Sequence, residues 1–318
     1  MLHRVIGLCA WMACLLGTAG ALAAQPPAPV TALKGDAICT RCHDESEKKP
    51  VLSIYQTRHG VKADSRTPGC QSCHGESEQH VNNPKGTDPR PPLEIRFGSK
   101  ADPGRQTEAC LTCHKSGQRV HWSGSQHQSN DISCTSCHQV HTHADKVLGK
   151  QTQMEVCFTC HQTQRAQIHR SSTHPLLAGK MSCSDCHNPH GSVGPKLMVK
   201  GSVNATCYTC HADRRGPFLW EHSPVTDDCS NCHTPHGSNN APLLVKRTPW
   251  LCQDCHTTDH ARDVNSGANL PNGNLTTVNG RLALANQSPR VQMNGRNCLT
   301  CHALVHGSNH PAGAKLSR

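Results

Sequence analysis

Ten Cys-x-x-Cys-His segments recur along this chain of 318 residues. The thiol pairs are Cys39 and Cys42, Cys70 and Cys73, Cys110 and Cys113, Cys134 and Cys137, Cys157 and Cys160, Cys183 and Cys186, Cys207 and Cys210, Cys229 and Cys232, Cys252 and Cys255, and Cys298 and Cys301. The histidines that follow them are His43, His74, His114, His138, His161, His187, His211, His233, His256 and His302. Two cysteines three apart with a histidine on the next residue form the attachment pattern of haem c. The thiols add across the porphyrin vinyl groups as thioethers, and the imidazole ligates the iron from the proximal side. Zinc sites use paired Cys pairs or a pair with two histidines, and a redox dithiol is needed once, not ten times. Neither explains a histidine after every second cysteine.

The cysteine count is consistent with this. Of 22 cysteines, 20 lie in the motifs, and the other two, Cys9 and Cys14, lie in an apolar N-terminal stretch. Residues 1–24 read as a secretory signal, with His3 and Arg4 ahead of the run Val5–Leu16 and a small-residue cleavage pattern at Ala21-Leu22-Ala23. The apolar run is shorter than the roughly 20 residues a membrane-spanning helix requires. The expected mature product is an exported polypeptide in a bacterial periplasm, without a free thiol.

Each iron needs a second axial ligand or an open position. Of 25 histidines, 14 lie outside both the motifs and the leader. Taken two motifs at a time, the chain places one histidine after the odd motif and another soon after the even one. That pattern nominates His59, His80, His127, His141, His174, His190, His222, His236, His260 and His306 as ten distal ligands for ten irons. His121, His143, His169 and His310 fall outside it; His310 and His121 compete with His260 and His80, the least secure members. Spacing does not say which histidine serves which iron. Methionine recurs at no fixed position. Two imidazoles per iron imply low potentials and no open metal position, hence electron transfer and no catalytic residue.

The elements that must position these groups are sparse. Aromatics are 3% of residues, with 25 Gly and 21 Pro, so the chain lacks the apolar bulk to offset its own ordering entropy. The porphyrins have to supply it. The expected fold is mostly irregular with short α-helices and no strands: an elongated multihaem cytochrome c with a haem-centred core. Residues 25–38 form a Pro-rich leader, and residues 39–318 form five two-haem repeats starting near 39, 110, 157, 207 and 252. Stacked repeats place neighbouring haems together. Ten macrocycles, each about 10 Å wide, would reach roughly 100 Å, beyond the 40–45 Å or so of a bilayer. Two stretches, residues 79–108 and 262–297, interrupt the rhythm and read as surface loops. The formal charge of +10 does not indicate nucleic acid. Each oxidised haem with ionised propionates adds about −1, and no basic-aromatic stacking pattern is present.

The sequence resembles the MtrA/DmsE/PioA family of periplasmic decahaem cytochromes. The resemblance is carried by Cys183-Ser-Asp-Cys-His-Asn-Pro-His-Gly-Ser192, by Cys207–Val225 with its Arg-Gly-Pro-Phe-Leu-Trp-Glu-His run, by Cys229–Ser238 and by CLTCHALVHGSNHPAG over Cys298–Gly313. It extends from about Gly35 to the end. It departs in a short segment before Cys39, in the long undiagnostic loop 262–297, and at His143 and His169. The resemblance implies an electron conduit inserted in an outer-membrane β-barrel porin. Its partners would be periplasmic or inner-membrane cytochromes on one side and an extracellular multihaem cytochrome, iron or a mineral on the other. Conduction sets no direction, so iron reduction and Fe(II) oxidation both fit. A soluble periplasmic shuttle without a porin is the alternative. A nitrite- or hydroxylamine-type reductase fits less well, since such enzymes keep an open iron and all ten motifs here end in histidine.

Overall fold

A computed structural model describes residues 35–47, 49–61, 63–256, 275–278, 281–284 and 297–317. The signal segment, most of the Pro-rich leader, most of the 262–297 stretch and His260 lie outside them. The chain is irregular with short helices. The longest helix among the described residues, Pro103–Leu111, has nine residues, starts at a proline and is capped by the Asp102 carboxylate, which accepts from Arg105 N–H at 2.7 Å. None of the described helices is long and apolar enough to cross a membrane.

Large buried apolar side chains are few among the described residues: Trp122, Ile168, Met198, Leu244 and Leu316, with the smaller Ala109 also buried. That agrees with the poverty of the composition. Two features differ from expectation. The stretch 79–108, expected as a surface loop, takes in most of the helices Glu78–Asn82 and Pro103–Leu111 and buries Gln106 and Thr107, because Asp102 and Pro103 start a helix that runs into the third motif. Leu275–Val278 and Arg281–Leu284 pair antiparallel, Leu275 opposite Leu284 and Val278 opposite Arg281. Strands were not expected in this stretch, yet Asn279-Gly280 between them is the sequence signal of a two-residue hairpin.

The motifs alternate in local form. Before the first, third, fifth, seventh and ninth motifs a helix runs into the first cysteine: Ala37–Thr40, Pro103–Leu111, Gln153–Cys157, Val203–Cys207 and Trp250–Gln253. The even motifs instead begin a turn at their first cysteine: Cys70–His74, Cys134–Ser136, Cys183–Asp185, Cys229–Asn231 and Cys298–Thr300. A polar side chain three or four residues ahead of the odd motif holds the even one. The Asp36 carboxylate accepts from Cys70 N–H at 2.8 Å, Gln106 Oε1 from Thr135 Oγ1 at 2.6 Å, Gln153 Oε1 from Ser184 N–H at 3.0 Å, and Asn204 Oδ1 from Cys229 N–H at 2.7 Å. Asp36, Gln106 and Asn204 are buried. Each such bond satisfies donors that would otherwise be stranded. Together they fix two consecutive motifs as one unit.

Candidate haem-binding site

Within a motif the backbone makes a single helical turn. The histidine N–H donates to the first cysteine's carbonyl at 2.8–3.1 Å in motif one and in motifs three to ten. Residues i, i+3 and i+4 of such a turn share a face. Both sulfurs and the imidazole therefore address the same side, which thioether attachment and axial ligation of one porphyrin require.

The sulfurs also order the motifs in space. First cysteines come together within each two-motif unit: Cys39 with Cys70, Cys110 with Cys134, Cys157 with Cys183, Cys207 with Cys229, and Cys252 with Cys298. Burial raises Cys39, Cys70, Cys207 and Cys229, Cys70 to about 12, whereas the partner thiol first and burial second raise Cys110, Cys157 and Cys252. The hydrogen bond from its partner draws Cys134 down to about 6 and Cys183 to about 7. Between units, the second cysteine of an even motif feels the next odd motif: Cys73 with Cys113, Cys137 with Cys160, Cys186 with Cys207 and Cys210, and Cys232 with Cys255. The ten motifs thus neighbour one another in chain order.

Opposite the motif histidines stand non-motif ones. His43 faces His80 at 6.2 Å between ring centroids, His74 faces His141 at 6.2 Å, and His114 faces His59 at 5.9 Å. His138 faces His190 at 6.1 Å, His161 faces His127 at 6.1 Å, and His187 faces His236 at 6.0 Å. His211 faces His174 at 6.3 Å, His233 faces His306 at 6.1 Å, and His256 faces His222 at 6.2 Å. With metal–nitrogen bonds of about 2.0 Å and a ring centroid about 1 Å behind the nitrogen, two imidazoles sharing one metal sit roughly 6 Å apart. Nine of the ten distal candidates are placed in this way; His260, the tenth, lies outside the described residues. His121, His143, His169 and His310 enter no such pair.

The other ring nitrogen supports the same reading. A metal-bound histidine donates its remaining N–H to a carbonyl or carboxylate. Nδ1 of His80, His127, His141, His174 and His222 faces the carbonyls of Pro91, Pro189, Val51, Pro235 and Val305. Nδ1 of His74, His187, His233 and His302 faces those of Ile95, Lys196, Pro242 and Lys315. Carboxylates take this place at two motif histidines, Glu47 at His43 and Asp145 at His138. Each anchor leaves Nε2 for iron. His310 differs, because its Nδ1 accepts from Ala312 N–H at 3.1 Å and pins a local turn. Burial holds His74, His190, His233, His236 and His306 below the ordinary histidine range, favouring the neutral ligand form.

Three of these carbonyls belong to the residue just before another distal histidine: Pro189 before His190, Pro235 before His236 and Val305 before His306. One short segment therefore presents one imidazole and anchors a second. The glycine after it is obligatory. Gly191 and Gly237 have φ of +106° and +148°, and a Cβ there would overlap the carbonyl oxygens of His121 and Gln167. Most anchors carry no sequence signal; Glu47, four residues after His43, sits at helical spacing.

Comparison with known proteins agrees. A doubled CXXCH motif matches residues 174–216 and 222–261, and a cytochrome c-type NrfB-like family matches residues 70–154. The multihaem cytochrome MtrA of Shewanella baltica is 47% identical over 292 residues, 90% of this chain and 82% of that protein. This chain belongs to the MtrA family of multihaem cytochromes. The cytochrome c-type protein NrfB of Haemophilus influenzae is 29% identical over 149 residues, 40% of this chain and 65% of that one. As a family member the chain is a multihaem c-type electron-transfer protein that binds haem covalently through its CXXCH motifs.

Proposed function

We propose that all ten motifs carry haem c, that every iron is held by two imidazoles, and that the haems form a continuous wire from end to end of the chain. The observation that carries this is the set of nine imidazole pairs, each joining one motif histidine to one non-motif histidine at 5.9–6.3 Å.

The pairs follow one rule. An odd-numbered haem takes its distal ligand from the unit before, as His114, His161, His211 and His256 do from His59, His127, His174 and His222. An even-numbered haem takes it from the unit after, as His74, His138, His187 and His233 do from His141, His190, His236 and His306. Two iron centres thus bind each unit to the next, which is how a repeat without its own core becomes a stable stack. The first haem, on His43, uses His80 of its own unit, the histidine that elsewhere serves the preceding unit. By the same rule turned end for end, the tenth haem, on His302, uses His260.

When bound, the haems supply one-electron chemistry. The protein's own carbonyls and carboxylates fix eleven of the imidazoles through Nδ1, and paired imidazoles leave no iron position for substrate. Such a wire fits the transfer of electrons between periplasmic carriers and the cell exterior, across the outer membrane and inside a β-barrel porin. An outer surface cytochrome, iron or a mineral would be the far partner, in iron reduction or Fe(II) oxidation. The test is reconstitution into liposomes with and without a co-purified barrel protein, an internal dye reductant and external ferric citrate. Dye oxidation only with cytochrome and barrel together is expected. A protein that never associates with a barrel or the outer membrane contradicts the transmembrane role and favours a periplasmic shuttle.

A further inference from the structure

Among the described residues, three buried nitrogens without any acceptor occur around one haem position: Arg119 Nε, Trp122 Nε1 and His190 Nδ1. Arg119 and Trp122 share a turn, Trp122 N–H donating to the Arg119 carbonyl at 2.9 Å. The Trp122 indole lies 6.4 Å from the His190 imidazole, centroid to centroid, and is only 7% exposed. The Arg119 charge acts on His190 and also on His114, the motif histidine of the preceding haem. In a His190 that ligates through Nε2, Nδ1 carries a proton. All three groups are then donors, one of them cationic, and burial without an acceptor costs each of them its desolvation. No carboxylate among the described residues hydrogen-bonds to them.

We propose that Arg119, Trp122 and His190 form a built receptor for a haem propionate, a carboxylate they bind between the third and fourth haems. This rests on the ligation proposed above. A carboxylate satisfies all three donors, and Arg beside a ring N–H suits its two oxygens. Arg214 near His306 offers a contrast: its Nη1 is 3.4 Å from His306 Nδ1, but that arginine is exposed and paired with Asp213 at 3.0 Å. It can turn to water, whereas Arg119 Nε is buried. Asp145 already holds Nδ1 of His138 on the other side of the same iron. The fourth haem would then have a carboxylate acceptor on both axial ligands.

The test is Trp122→Phe, with Arg119→Gln as second variant, in the haem-loaded protein. Resonance Raman propionate-bending bands and thermal unfolding are the readouts. If the indole N–H binds a propionate, Trp122→Phe shifts about a twentieth of the propionate-band intensity, as one propionate among the two on each of ten haems requires, and lowers the melting temperature. Arg119→Gln shifts the same bands. Ten low-spin haems with unchanged bands and an unchanged or higher melting temperature overturn the receptor while leaving the ligation reading intact. Bands or potentials of the unmutated protein that follow chloride concentration also overturn it, since an exchangeable anion would then be the acceptor. A loaded protein with no haem at His138 overturns both.

Discussion

The Asp145 carboxylate accepts from His138 Nδ1 at 2.8 Å, and only 12% of its side chain is exposed. A carboxylate acceptor makes the imidazole a stronger donor to iron than a carbonyl does, which stabilises the ferric state. Asp145→Asn weakens that bond from charge-assisted to neutral, a change of about 1 kcal/mol. The expected outcome is one haem in ten whose potential rises by on the order of 50 mV, given about 59 mV per tenfold for a one-electron couple. Spectropotentiometric titration measures it; a fall in potential, or a shift spread over all ten haems, would be contrary.

Removing a distal imidazole opens one iron. His236→Ala is expected to convert about a tenth of the haem to a high-spin, carbon monoxide-binding form, because His236 faces His187 across the boundary between the third and fourth units. His169→Ala leaves the spin state unchanged, since His169 enters no ring pair. Electron paramagnetic resonance of the oxidised proteins distinguishes the two.

The tenth haem tests the end rule by itself. His260→Ala is expected to create the high-spin fraction and His310→Ala to leave it absent, since His310 Nδ1 already accepts from Ala312 N–H. The reverse pattern would move the ligand to His310.

Gly191 sets the place of His190. Gly191→Ala is expected to destabilise the protein by more than about 2 kcal/mol, combining a positive φ with overlap on the His121 carbonyl. Gly201→Ala, where a Cβ meets nothing within 4 Å, stays within about 0.5 kcal/mol. Thermal unfolding of the loaded proteins compares them.

Among the described residues the protein's own side chains build little core. Expressed where no haem-attachment system operates, the chain is expected to show no cooperative unfolding transition, because Ile168 and Met198 are among very few large apolar side chains it buries. A cooperative transition by circular dichroism would contradict a cofactor-built core.

How much was legible in sequence follows from the kind of signal involved. The motif histidines and their ten candidate partners are visible because attachment chemistry fixes spacing within a few residues. Even His80, the least secure of the described set, lies opposite His43 with ring planes 9° apart. The partnering itself was not legible. His59 meets His114 and His141 meets His74 through contacts between units, and spacing carries no information about them. Nor were the caps. Gln106 and Asn204 look like ordinary polar helix residues, and only the fold shows them buried against Thr135 and Cys229. The hairpin at Leu275–Val278 and Arg281–Leu284 was marked by Asn279-Gly280, a local signal lost among the surrounding Asn and Gly.

Iron itself gives the most direct measurement. An anomalous-difference map of crystals of the haem-loaded protein, recorded at the iron edge, should show ten peaks following the motifs in chain order. Nine should lie midway between the imidazole pairs from His43 with His80 to His256 with His222, and the tenth between His302 and His260. Fewer peaks, or a peak whose second ligand is water, methionine or a histidine from another pair, would contradict the bis-imidazole wire.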